Sequence, residues 1–81
     1  MIRMLRLKEV QLAFGYKSHV SIYNRIKDGL MTQHVPFGKQ SVRWPDFEID
    51  AINKAHIAGQ SEDQIRTLVQ SLHTKRASVF H

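Results

Sequence analysis

Cysteine is absent from these 81 residues, which excludes a disulfide framework, a thiolate zinc site and a cysteine nucleophile together. Long apolar runs are absent too, and no stretch approaches the ~20 residues of a membrane span. The first ten residues, MIRMLRLKEV, break their apolar positions with charge every second or third residue, which does not make a signal-peptide core. The five histidines, His19, His34, His56, His73 and His81, show neither H-x-x-x-H nor H-E-x-x-H spacing, the patterns that put two imidazoles on one helix face for a metal. There is no phosphate-cradling glycine loop, no serine–histidine–acid arrangement, no internal repeat and no low-complexity tract. A chain this short buries only about 60% of its unfolded surface, which leaves no room for a deep substrate cavity. The expectation is one small domain over residues 1–81, soluble and cytoplasmic, with no enzymatic activity, no cofactor and no metal.

What the amino-terminal half is short of is acid. Residues 1–44 hold eight Lys/Arg (Arg3, Arg6, Lys8, Lys17, Arg25, Lys27, Lys39 and Arg43) against Glu9 and Asp28, a net +6. Residues 45–81 hold four against five acids, a net −1. A basic excess also arises on any solvated face. Here it falls on a helix and a hairpin tip, where a polyanionic partner would need it.

Lys8 to Phe14 reads as a short helix, with Leu7, Val10 and Phe14 at i, i+3 and i+7 and Gly15 as its stop. Ser18 can cap a second helix that runs to about Asp28 and ends at Gly29. At about 100° per residue, Ile22, Ile26, Leu30 and Tyr23 fall within one arc, expected in the core. Lys17, Ser21, Asn24 and Asp28 fall opposite, with Arg25 and Val20 on the shoulders. Only Gly15, Tyr16 and Lys17 separate the two helices, the connection length of a helix-turn-helix.

Val35 with Phe37, and Val42 with Trp44, share faces of two strands joined by Gly38-Lys39-Gln40-Ser41. Pro36 has no amide donor, which makes the first strand an edge. A two-stranded ribbon is not stable alone, so its aromatic face should lie on the helices, with Trp44 in the core. Pro45-Asp46 open a third helix through roughly Ala58, closed by Gly59, with Phe47, Ala51, Ile52, Ala55 and Ala58 as its apolar arc. Asp46, Glu48 and Asp50 suit the positive end of its dipole without any catalysis. Ser61-Glu62-Asp63-Gln64 has the capping-box pattern. Ile65, Leu68, Val69 and Leu72 follow at i, i+3, i+4 and i+7, and Lys75 and Arg76 suit the negative end of that helix. The stripe reads as an intramolecular clamp on the third helix, with a dimer seam as the alternative. The residues from Ala77 on are expected to fray.

A helix followed so closely by a basic hairpin is the plan of a winged helix-turn-helix. In that plan Asn24 can pair bidentately with adenine, and Arg25 with guanine or a phosphate. Ser21 and Lys17 lie one turn earlier, nearer the end where such a helix meets the bases. Ser18 and His19 mark the helix start, where free amides and the dipole favour a phosphate. Lys39, Gln40, Ser41 and Arg43 put cations and donors on the hairpin, suited to phosphate or the minor groove; a gatekeeper charge on an edge strand is the other explanation. Any one of these side chains alone is equally a plain solvated group. Together on one surface they read as a contact set for duplex DNA.

RLKEV at Arg6–Val10, SIYNRIKDG at Ser21–Gly29 and VPFGKQSVRW at Val35–Trp44, followed by a helix, resemble the AlpA family of small phage and genomic-island regulators. The tail AGQSEDQIRTLVQSLHTKR is similar to that of longer AlpA-like proteins, so the resemblance spans about residues 4–76. The chain departs from the family in a turn, GYKSHVS, one residue longer than the common form, and in Val20, where a small polar residue is more usual. The resemblance implies a winged helix-turn-helix related to MerR-type DNA-binding domains, with Lys17–Arg25 as recognition helix and Gly38–Arg43 as wing. It also implies a bacterial protein associated with the nucleoid, acting as a transcriptional regulator of integrase genes or as an excisionase.

The resulting expectation is a mainly α fold with a small β-hairpin: a winged helix-turn-helix core at about 4–58 and an added helix at about 61–76. Its function would be sequence-specific DNA-binding regulation, with double-stranded DNA as partner and no membrane. An excisionase that bends an attachment site is one alternative, and a protein-interaction module using the fourth helix is another. Homo-oligomer formation or cooperative tandem binding on the DNA stays open.

Overall fold

A computed structural model describes residues 1–39 and 41–78. Met4–Arg6 form strand β1, Leu7–Phe14 helix α1, His19–Lys27 helix α2, Val35–Pro36 strand β2, Val42–Pro45 strand β3, Asp46–Ile57 helix α3 and Glu62–Ser78 helix α4. The chain is mainly helical with a small antiparallel sheet, a winged-helix plan carrying an added C-terminal helix. Gln40 and residues 79–81 lie outside the described residues, and with them one expected wing contact and most of the expected frayed tail. Ala77 and Ser78 are helical.

Local chemistry sets the helix ends. Ser18 caps α2, its Oγ accepting the Val20 N–H at 3.2 Å. Gly29 closes α2 at φ +78°, a conformation that a side chain resists, and lets the Leu30 N–H donate back to the Arg25 carbonyl at 2.9 Å. Ser61 and Gln64 form the expected reciprocal box: Gln64 Oε1 accepts the Ser61 N–H at 2.8 Å, and Ser61 Oγ accepts the Gln64 N–H at 3.2 Å. At the start of α1 the Glu9 carboxylate accepts the Arg6 N–H at 3.0 Å, which with the nearby Arg3 guanidinium holds its pKa below the usual carboxylate value.

The sheet has the order β1-β3-β2 with both pairings antiparallel; Leu5 lies opposite Trp44 and Val35 opposite Arg43. Strand β1 has no counterpart among the sequence-based expectations, because three residues are too few to show a period. It turns the expected two-stranded ribbon into a three-stranded sheet. Pro36 sits on the edge strand, and Trp44 is fully buried with its indole N–H donating to the Thr32 carbonyl at 2.9 Å. Phe37 departs from expectation: it lies beyond the end of β2 and is exposed rather than packed on the helices. On the outer face of the sheet it joins Ile2, Met4, Val35, Pro45, Phe47 and Arg76 around an apolar depression of about 420 Å3.

One buried cluster ties the elements together: Val10, Ile22, Leu30, Met31, Trp44, Ile49, Ile52, Ala55, Ile65, Val69 and Leu72. In α3 the buried face takes in Ile49 and Glu48, while Ala58, expected in the apolar arc, is exposed. This helix packs against α1, β3 and α4 at once, so its covered arc is set by three neighbours rather than by its own apolar stripe. Ile65, Val69 and Leu72 of α4 are buried against this core, so the stripe is a clamp within the chain and is not left for a partner.

Arg76 was expected to do no more than face a helix end. Its guanidinium instead grips the fully buried Glu48 carboxylate through two bonds, at 2.7 and 2.8 Å, and donates to the Gln33 carbonyl. His73 Nε2 accepts the Gln33 N–H at 2.9 Å, and Arg66 Nε donates to the Asp28 carbonyl at 3.0 Å. Burial pushes the His73 imidazole pKa below its ordinary value; the Arg76 charge adds to this and Glu48 opposes it. Helix α4 thereby holds both ends of the segment from Asp28 to Gln33, which leads out of α2 toward the wing.

Candidate nucleic-acid interface

Helix α2 presents a face rotated from the one its apolar residues suggested. Ile22 is fully buried and Ile26 packs against the core, but Tyr23, expected beside them, is 38% exposed. Ser21, expected to face outward, is half-buried, while Val20, Tyr23, Asn24 and Lys27 are all exposed. These four stand at i, i+3, i+4 and i+7, one continuous stripe along the helix. The reason lies in Leu30: it follows Gly29, so it has left the helix, and counting it as part of the apolar arc swung that arc toward Tyr23. Ile22 and Ile26 alone would have placed the outward face on Val20, Asn24 and Lys27.

The turn before α2 prepares one of the cations. Tyr16 stacks on Phe14 with ring centroids 5.8 Å apart, and its carbonyl accepts from Gln11 Nε2 at 3.2 Å. Its hydroxyl accepts the Arg25 Nε–H at 3.0 Å. Arg25 is thus half-buried and aimed, with the remaining guanidinium donors unspent in this bond. Lys17, Ser18 and His19 are exposed around the amino end of α2. The Ser18 oxygen is occupied by its capping bond, which leaves the hydroxyl proton for a partner. His19 meets Tyr23 edge-on at 6.3 Å, Tyr23 meets His34 at 6.2 Å, and His34 meets the buried Trp44 at 6.1 Å. This aromatic row links the outward face of α2 to the root of the wing.

On the wing, Lys39 is exposed at the tip. Arg43 is folded back: Nη1 donates to Ser41 Oγ at 2.6 Å and to the Val42 carbonyl at 3.1 Å, and the guanidinium lies 5.9 Å from the centre of the Phe37 ring. Ser41 and Arg43 therefore act as one unit rather than as two free contacts. Gln40 is outside the described residues.

Ion pairing takes up four of the seven cations outside α2 and the wing, leaving Arg6, Lys8 and Lys75 there without a carboxylate partner among the described residues. Lys54, Arg66 and Arg76, from the second half of the chain, are paired with Asp50, Asp63 and Glu48, and Arg3 is paired with Glu9. Among the described residues no carboxylate lies within 4.0 Å of Lys17, Arg25, Lys27, Lys39 or Arg43. The positive charge on α2 and the wing is left uncompensated, as binding an anion requires. Among the described residues no group of three or more His, Asp or Glu could hold a metal ion, and no helix is long and apolar enough to cross a membrane. The depression on the outer sheet face gathers no convergent polar groups, since the Arg76 head is engaged by Glu48.

Lys17, Ser18, His19, Asn24 and Arg25 are brought together around the first two turns of α2, as expected; Ser21 stands at its shoulder. Lys39, Ser41 and Arg43 lie apart from them on the wing. Val20, Tyr23 and Lys27 were not among the expected contacts, and neither was Tyr16 as the group that aims Arg25. Sequence spacing held the signal for Lys27, at i+3 from Asn24, but none for Tyr16, whose partner is a tertiary neighbour.

Residues 3–53 match the protein family described as Prophage CP4-57 regulatory protein (AlpA). No curated protein and no solved structure matches the chain.

Proposed function

Because the chain belongs to the AlpA family of prophage regulatory proteins, we propose that it is a sequence-specific DNA-binding transcriptional regulator. Helix α2 enters the major groove, and the wing holds the backbone or the minor groove beside it. The observation that carries this reading is the uncompensated charge: none of the five cations of α2 and the wing has a carboxylate partner among the described residues, while four of the seven elsewhere do. Phosphates supply the missing counter-charge. Asn24 reads an adenine edge, and Arg25, steadied by Tyr16, takes a guanine or a phosphate. Lys17, Ser18 and His19 hold phosphate at the helix start, where the dipole helps. Lys39 and the Ser41–Arg43 unit hold the backbone from the wing.

The test separates reading from holding. On a duplex selected from a random pool, Asn24→Ala should relax the preference at one base pair, by about 1–3 kcal/mol of discrimination. Lys39→Ala should weaken selected and scrambled duplexes alike and lower the salt slope by roughly one unit. If Lys39→Ala changes the preferred sequence while Asn24→Ala weakens every duplex equally, the roles of helix and wing are reversed. A pool that yields no preferred sequence refutes the reading. Strong bending of the selected duplex would instead favour an excisionase, which uses the same surface to shape an attachment site.

A further inference from the structure

Val20 is an exposed β-branched side chain at a place where neither folding nor helix formation asks for one. It is 54% exposed and is not among the hydrophobic residues packed on the core. Valine is a poorer helix former than most residues and loses rotamer freedom in a helix, so its position in the first turn of α2 costs stability without a compensating contact. Exposure alone does not single it out, since Ile57 at the end of α3 is 85% exposed; what does is its place on the outward face of α2 beside Asn24. The surroundings narrow the function. Val20 opens the outward stripe that continues through Tyr23, Asn24 and Lys27, and its backbone is fixed by the bond from its N–H to Ser18 Oγ. Its stripe neighbours are the exposed Tyr23 ring, the Asn24 amide and the Lys27 cation, a mixed surface with polar groups that can meet a base edge rather than a continuous apolar patch.

Resting on the DNA-reading role proposed above, we infer that Val20 is a specificity-determining residue that recognises the 5-methyl group of a thymine in the major groove. The methyl is the only apolar feature that the base edges present there, and apolar side chains recognise it by contact. A valine in a helix holds essentially one χ1 rotamer, so its two methyls are presented with little further entropy to lose. Asn24 stands one turn on, roughly 6 Å along the helix axis. That distance is about two steps of the duplex, at roughly 3.4 Å each. The pair then reads a thymine and an adenine on nearby base pairs, Val20 by contact and Asn24 by two hydrogen bonds.

The experiment uses the full chain and a duplex selected from a random pool, with each thymine replaced in turn by deoxyuridine, which lacks only the methyl. At one position the replacement should weaken wild-type binding about fourfold, the worth of one buried methyl group. In Val20→Ser, whose exposed site tolerates the change, binding to the parent duplex should fall and the deoxyuridine effect at that position should vanish. A selected site at which every thymine tolerates deoxyuridine overturns the inference and leaves the DNA-reading role intact. A deoxyuridine penalty that persists in Val20→Ser does the same, since another residue then makes the contact. A pool with no preferred sequence overturns both.

Discussion

Removing the Arg76 guanidinium tests whether the C-terminal helix is fastened by charge as well as by its apolar stripe. Glu48 is fully buried, and its carboxylate has both oxygens on Arg76, at 2.7 and 2.8 Å. Arg76→Ala leaves that carboxylate without its partner and removes the donor from the Gln33 carbonyl. Breaking a buried pair from one side costs about 3–5 kcal/mol. The Arg76 side chain is 25% exposed, so water reaches the vacated place and the lower end, about 3 kcal/mol, is expected. A domain of this length has roughly 4–12 kcal/mol in all, so the variant loses a large share, and its melting midpoint should fall by roughly 12–24 °C. Urea unfolding followed by Trp44 fluorescence measures this directly, because Trp44 is the chain's single tryptophan and is buried beside the segment that α4 holds. The control is the double variant Glu48→Leu with Arg76→Leu, which removes both charges. Replacing a whole buried pair by apolar residues is often neutral, and the remaining loss is the Gln33 carbonyl bond, about 1 kcal/mol. The double variant should therefore be clearly more stable than Arg76→Ala. If Arg76→Ala costs less than about 1 kcal/mol, as an exposed pair would, or if the double variant is no better than the single, Glu48 and Arg76 are not a buried latch.

Trp44→Ala should cost roughly 3–5 kcal/mol, since it empties a fully buried site and leaves the Thr32 carbonyl without its donor; a variant that unfolds at the wild-type urea midpoint but no longer binds DNA would make Trp44 a contact residue. His73 accepts the Gln33 N–H only when its ring is neutral, and its pKa is lowered in the folded chain from an ordinary 6.5. Its contribution should be complete above pH 6.5 and decline as the pH falls below that value, so stability rises with pH there; His73→Ala should flatten this part of the pH–stability curve, and an unchanged slope would refute it. With Lys17, Arg25, Lys27, Lys39 and Arg43 left unpaired, log affinity for a duplex should fall against log salt with a slope near −4 to −5; a titration that shows a slope close to zero would remove the electrostatic basis of the proposed function.

Much of this chain is determined by neighbours in sequence. The Ser18 cap, the Gly29 stop, the Ser61–Gln64 box and the edge position of Pro36 each depend on groups a few residues apart, or on a missing amide, so no tertiary context was needed to place them. The burial of Trp44 follows from size and hydrophobicity, and the basic character of the first half from counting charges. What the tertiary structure alone decided has partners far apart along the chain. Strand β1 exists because β3 supplies its hydrogen bonds, some forty residues away in register with it. Arg76 and Arg25 look alike as helical cations, yet one is consumed by Glu48 and the other only steadied by Tyr16. The outward face of α2 is legible from Ile22 and Ile26 once Gly29 is taken to end the helix before Leu30, and packing fixed its shoulders. Periodicity locates an apolar arc only to within a shoulder on either side, and packing against the core chose Ser21 over Tyr23 to cover. That choice put Tyr23, rather than Ser21, beside Val20, Asn24 and Lys27 at the front of the helix.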